Sequence, residues 1–126
     1  MQTRMPTIKM LSIMDKYEEF TDYHLKAKVY VIETEFGGRQ GAIFDDYRGQ
    51  FFWHINDVDC NDWDARYVFE GGQINPGESS NCKIVVSDNL LKYSGGRFSK
   101  SQQFGVREGS RIVAVGVILS NKAKNA

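Results

Sequence analysis

The rhythm of hydrophobic and polar positions changes near residue 24. From Leu25 the period is two: Leu25, Ala27, Val29 and Val31 alternate with Lys26, Lys28, Tyr30 and Ile32. Such alternation puts every second side chain on one face of a strand, so this strand has one wet face, at least at its start. Gly37-Gly38 breaks it. Gly41 to Phe44 and Gln50 to Ile55, rich in aromatic and β-branched residues, predict further strands. Arg66 to Glu70 predicts a short strand closed by Gly71-Gly72, Asn75-Pro76-Gly77 a turn, and Cys82 to Ser87 another strand. Gln103 to Arg107 and Arg111 to Ser120 predict the last two. Between these, Asn56 to Asp64 reads as an acidic loop and Leu90 to Lys100 as irregular chain around Gly95-Gly96. Ile112 to Leu119 is apolar at every position but Gly116, which predicts a strand buried on both faces.

Before residue 24 the pattern has two readings. Ser12 caps a short helix with Asp15 at its third position, and Ile13, Tyr17 and Phe20 share one face. The other reading is a strand from Thr7 to Ile13. Asn121 to Ala126 is polar and is expected to be disordered. The chain therefore divides into an arm (1–24), a β domain (25–120) and a tail (121–126). Short strands, glycine turns and no long helix predict an all-β fold, a small barrel or sandwich.

Length and charge narrow this further. The 126 residues suit one domain with a short arm. Sixteen Lys and Arg balance sixteen Asp and Glu, so a generally basic nucleic-acid or membrane binder is excluded, and any RNA site must be a local patch. No apolar run reaches the ~18–20 residues of a membrane-spanning helix. No signal peptide is expected, because the first residues hold no apolar core bounded by a cleavage site. Cys60 and Cys82 suit reduced thiols in the cytoplasm, with a single bridge between them left open.

Catalytic chemistry finds little support. His24 and His54 are the only histidines, and no Cys-x-x-Cys is present, so a structural zinc site and any other metal site are not expected. Asp57, Asp59 and Asn61 match the start of a calcium loop, but Asp62 replaces its glycine and Val68 its bidentate acid. Gly95-Gly96-Arg97-Phe98-Ser99-Lys100-Ser101 lacks the Gly-Lys pair of a phosphate loop, so no nucleotide or other cofactor is expected. Asp45 and Asp46 are adjacent and would face opposite ways in a strand. We read the chain as non-catalytic. One segment points to RNA: Lys92, Tyr93, Arg97, Phe98 and Lys100 interleave cations for phosphates with aromatics for bases. Its alternative is a loop whose aromatics fold back onto the core.

The closing strands carry a resemblance. Gln103 to Ile118, with Val106-Arg107-Glu108-Gly109-Ser110-Arg111-Ile112-Val113 at its centre, resembles the closing hairpin of the third domain of elongation factor Tu. The family's second turn glycine is replaced by Ser110. Lys28-Val29-Tyr30-Val31 with Glu35 and Gly37-Gly38-Arg39 resembles that domain's first strand and turn. Tyr47-Arg48-Gly49-Gln50-Phe51 resembles its Tyr-Arg-Pro-Gln-Phe, and Pro76-Gly77 with Lys83-Ile84-Val85-Val86 its Pro-Gly turn and next strand. The match runs from about Leu25 to Leu119 in the family's order.

This resemblance implies a six-stranded antiparallel, Greek-key-like barrel without the nucleotide-binding domain. It implies binding rather than catalysis. In the family this domain touches the T-stem backbone of tRNA and the exchange factor. The positions matching its tRNA contacts are Arg39, Gln50, Glu108 and Gly109. Gln40 stands where the family has histidine, and Asp59 where it usually has threonine near the RNA backbone; a carboxylate there repels phosphate. Three functions follow as expectations: a module binding tRNA or a translation-related protein, a decoy that occupies partners of elongation factor Tu, and an unrecognised enzyme. The arm from Ile8 to Phe20 is further expected to cover barrel surface that the family buries between domains, or else the chain pairs with itself.

Overall fold

The computed structural model describes residues 16–53 and 61–122. Among the described residues eight strands follow one another: β1 Leu25–Val31, β2 Ile43–Phe44, β3 Gln50–Trp53, β4 Asn61–Phe69, β5 Gln73–Ile74, β6 Ser79–Val86, β7 Gln103–Glu108 and β8 Arg111–Asn121. Six of them close into a barrel in the order β1-β6-β4-β3-β7-β8, while β2 and β5 form a separate two-stranded ribbon. Every barrel pairing is antiparallel. The expected six-stranded antiparallel barrel is therefore the observed architecture, and closure leaves none of its six strands at an edge.

The period of two in β1 produces this wall directly. Leu25, Ala27, Val29 and Val31 point inward and are buried. They meet Phe51, Tyr67, Phe69, Ile84, Phe104 and Ile118 in one core. Phe51 stacks on Phe104 at 4.7 Å between ring centroids. Gly116 lies against the Phe104 ring so closely that a methyl group there would overlap it. A glycine in mid-strand often marks such a close approach.

Three expectations are corrected. First, the second half of the acidic loop is strand: β4 begins at Asn61, with Trp63 opposite Phe51 and Asp64 opposite Gln50. Cross-strand pairing overrides the poor strand propensity of Asn and Asp. Second, Leu90 to Lys100 begins with a helix, α1 Asp88–Ser94. Ser87 caps it by accepting from the Leu90 N–H, and Gly95 ends it in the left-handed region at φ +63°. Leu90 and Ser94, four apart, face the core. Third, β8 is not buried on both faces. Val113, Ala114 and Ile118 are interior, but Val115 and Leu119 are about 40% exposed. A barrel wall has one inside, and among the described residues no second layer covers the outside of β8.

Residues 16–19 form a helical turn, with Tyr17 buried against the barrel. The Ser12 cap and the strand from Thr7 to Ile13 lie outside the described residues. At the other end β8 runs through Asn121, into the segment read as tail, while 123–126 lie outside the described residues. Among the described residues no helix is long and apolar enough to cross a membrane.

Candidate binding cleft

Four sequence-distant segments meet at one end of the wall formed by β3 and β7. Arg39 follows a 3₁₀ turn, Thr34–Phe36, closed by Gly37 at φ +92°. Gly38 comes next, packed so tightly on the carbonyls of Ile32 and Glu33 that no side chain fits. The Thr34 hydroxyl donates to the Arg39 carbonyl at 2.8 Å and fixes the turn. Tyr47 leaves β2 through Asp46, a non-glycine residue at φ +67°, and bridges to Tyr67 of β4. Gln50 opens β3 opposite Arg107 of β7. Glu108 ends β7, and Gly109 begins the two-residue link to β8 at φ +63°, the conformation a side chain resists.

These segments bring Arg39, Gln50, Glu108 and Gly109 to one place. A cleft of about 330 Å³ is lined by Tyr47, Arg48, Gly49, Gln50, Arg107, Glu108 and Gly109. Arg39 flanks it, 3.5 Å from the Glu108 carboxylate and stacked over the Tyr47 ring at 5.5 Å. The Tyr47 hydroxyl donates to the same carboxylate. Burial, then the Glu108 contact, raise the Tyr47 pKa well above that of a free phenol, so it remains a donor across ordinary pH. Gln50 donates to Asp64 at 3.1 Å. Both Arg107 nitrogens Nε and Nη2 donate to the Gly109 carbonyl, at 3.2 and 3.1 Å. The cleft thus carries Arg48 and Arg107 beside Glu108, with Arg39 at its flank, and Tyr47, Gln50, Arg107 and Glu108 are held by contacts within the chain.

Tyr47 joins these residues although the sequence alone did not single it out. Its signal was present in the Tyr-Arg-Gly-Gln-Phe block, where glycine stands at the family's proline. A Cβ at Gly49 would overlap the Tyr47 ring, so the glycine is what lets that ring fold across the chain toward Glu108.

The basic-aromatic segment is divided between a helix and the loop that follows it. Lys92 and Tyr93 ride on α1, where the Tyr93 ring lies 5.2 Å from Trp63. Phe98 is 4% exposed and meets Phe51 edge-on at 6.3 Å. Its burial removes it from any base-stacking role, the fold-back alternative. Asn121 secures the loop by donating to the Gly96 and Phe98 carbonyls, both at 2.9 Å. Arg97 and Lys100 remain exposed. Among the described residues no three His, Cys, Asp or Glu side chains converge as metal ligands would. His24 is half-buried; its Nδ1 accepts from the Val86 N–H at 3.1 Å, and burial lowers its pKa. His54, Cys60 and Asp59 lie outside the described residues. Cys82 is a free, buried thiol whose pKa burial pushes up.

The family model of the elongation factor Tu C-terminal domain matches residues 19–121, the full barrel and the end of the arm. The observed barrel is the fold that the family resemblance implied. The chain belongs to the elongation factor Tu C-terminal domain family.

Proposed function

We propose that this protein is a non-catalytic, cytoplasmic binding module that holds tRNA by its backbone in the cleft beside Tyr47. The observation that carries the reading is the convergence of Arg39, Gln50, Glu108 and Gly109 on a single cleft, from positions up to 70 residues apart. Arginine forks match phosphate oxygens, and Gln50 and Glu108 offer a donor and acceptors to ribose hydroxyls. The balanced whole-chain charge fits a local patch of this size. A gel-shift or anisotropy titration with a tRNA transcript over a salt series tests the reading. Binding at low salt that weakens for Arg48→Gln and Arg107→Gln supports it; no binding at low salt sinks it.

A second reading is favoured by the outside of β1, β7 and β8. There Tyr30, Val115, Val117 and Leu119 line a groove of about 510 Å³ with Phe104 at its floor. This apolar face suits a protein partner of elongation factor Tu, for which the chain would act as a decoy. Titration with the purified exchange factor separates the two: a complex that is lost in Val115→Glu and Leu119→Glu favours the decoy.

A further inference from the structure

The outer face of β1 and β6 holds an arrangement that the cleft does not use. Lys26 and Lys83 are directly opposite one another across these strands. Like charges so placed are destabilising. Lys122 joins them, and both Lys26 and Lys122 act on Lys83 electrostatically. Lys28 continues the row along β1, and Arg66 projects from β4 one strand away. Five cations therefore share a surface on a protein of zero net charge.

Residues 16–24 lie across this surface as a strap. Lys83 donates to the carbonyls of Tyr17 and Phe20, and Lys122 to that of Thr21. Rings cap the cations: Lys83 sits 4.4 Å from the Tyr17 centroid and 5.1 Å from Tyr23, Lys122 lies 4.1 Å from Tyr23, and Arg66 5.2 Å from Phe20. The exposed side of the strap carries Glu18, Glu19 and Asp22. At its described start Lys16 bonds Asp46 at 2.7 Å. Beneath it Lys83 is only 5% exposed. Tyr17 is buried, but every other residue of 16–24 is half-buried or exposed, and the strap holds the cations through carbonyl oxygens and ring faces that a competing polyanion with stackable bases can replace.

The chemistry of the strap describes what it replaces. It presents oxygen acceptors to ammonium groups and flat rings to cations, with carboxylates along its outer side. Single-stranded RNA offers the same set: anionic oxygens at regular intervals and stackable rings. We propose that residues 16–24 form a displaceable strap over a basic face, and that this face binds the phosphate backbone of single-stranded RNA once the strap lifts. The proposal concerns a different face from the cleft and does not depend on it.

The test is fluorescence anisotropy with a labelled uridine oligomer over a salt series. Replacing Tyr17, Phe20 and Tyr23 together by alanine frees the strap. Since apparent affinity scales with the open fraction, release should tighten binding about tenfold. Because the unaltered and released chains both bind the oligomer in the open form, the logarithmic salt slope should be about the same in the two. Adding Lys26→Gln and Lys28→Gln should abolish the gain. Unchanged affinity on release, or a gain indifferent to those two lysines, overturns the proposal. Amide exchange on the unaltered chain gives an independent answer. Oligomer binding should speed exchange across residues 16–24 while β1 and β6 stay protected. Slowed exchange across the strap would mean that RNA binds over it, which also overturns the proposal.

Discussion

The hydroxyl of Tyr47 donates to the carboxylate of Glu108, which stands 61 positions later in the chain. Arg39 closes the arrangement by pairing with the same carboxylate and covering the same ring. One tyrosine thus ties the first turn of the domain to its last hairpin at the mouth of the cleft. Removing the hydroxyl in Tyr47→Phe should cost about 1 kcal/mol in urea unfolding, since Glu108 is partly solvated and keeps Arg39. Gly49→Ala acts on the same ring from the other side. The added methyl should expel it from Glu108 with less than about 1 kcal/mol of stability lost, because the ring can move outward. Partner affinity should fall in both variants. Unchanged affinity in both would show that the Tyr47–Glu108 contact serves the fold alone.

Gly116 makes the opposite case, since its neighbour cannot move. The Phe104 ring is fully buried and stacked on Phe51. Gly116→Ala should therefore destabilise by about 1–3 kcal/mol through overpacking. Gly41→Ala, where a methyl group meets nothing within 4 Å, is the control and should change stability by less than about 0.5 kcal/mol. Equal melting temperatures for the two variants would refute this packing.

Tyr67 is fully buried, and its hydroxyl meets no hydrogen-bond partner among the described residues. An unmatched buried hydroxyl costs about 1–3 kcal/mol of desolvation. Tyr67→Phe should leave stability unchanged or raise it by about 1 kcal/mol. A loss larger than that, measured in urea, would reveal a polar contact to this hydroxyl.

Tyrosines also set the alkaline limit. Burial, with smaller contributions led by Glu70, pushes the Tyr17 phenol up to about 12, and burial raises Tyr47 and Tyr67 as well. In the unfolded chain each titrates near ~10. Above that pH the unfolded state has lost protons that the folded state keeps, so stability falls as pH rises. The contribution of Tyr17 is fully present below about pH 10 and is lost progressively toward pH 12. Melting temperature should drop across this window, with phenolate absorbance rising as the barrel opens. A flat melting temperature with phenolate appearing near the ordinary value would contradict it.

Much of the fold is legible in the chain because a barrel wall needs only a period of two and turn residues where strands reverse. Leu25 to Val31 shows the first, and Gly109, at positive φ in the last hairpin, the second. What stayed hidden depends on partners far away. Asp64 belongs to a strand because Gln50 is opposite it, and no local pattern announces that pairing. Val115 and Leu119 look like core residues, yet sidedness is fixed by the closure of the whole wall. Helix α1 was readable from Ser87, Leu90, Ser94 and Gly95, but glycines and charges nearby masked it. Arg39, Gln50, Glu108 and Gly109 were legible only through the family's motif blocks. Their mutual contacts through Tyr47 required the fold.

Amide exchange mapped with and without a tRNA transcript decides whether the cleft beside Tyr47 holds RNA, since it reads where a partner sits. Exchange should slow at residues 47–50 and 107–109, and the protection should be lost in Arg107→Gln. Binding that protects other surfaces and leaves those segments unchanged, or no RNA binding at low salt, would contradict it.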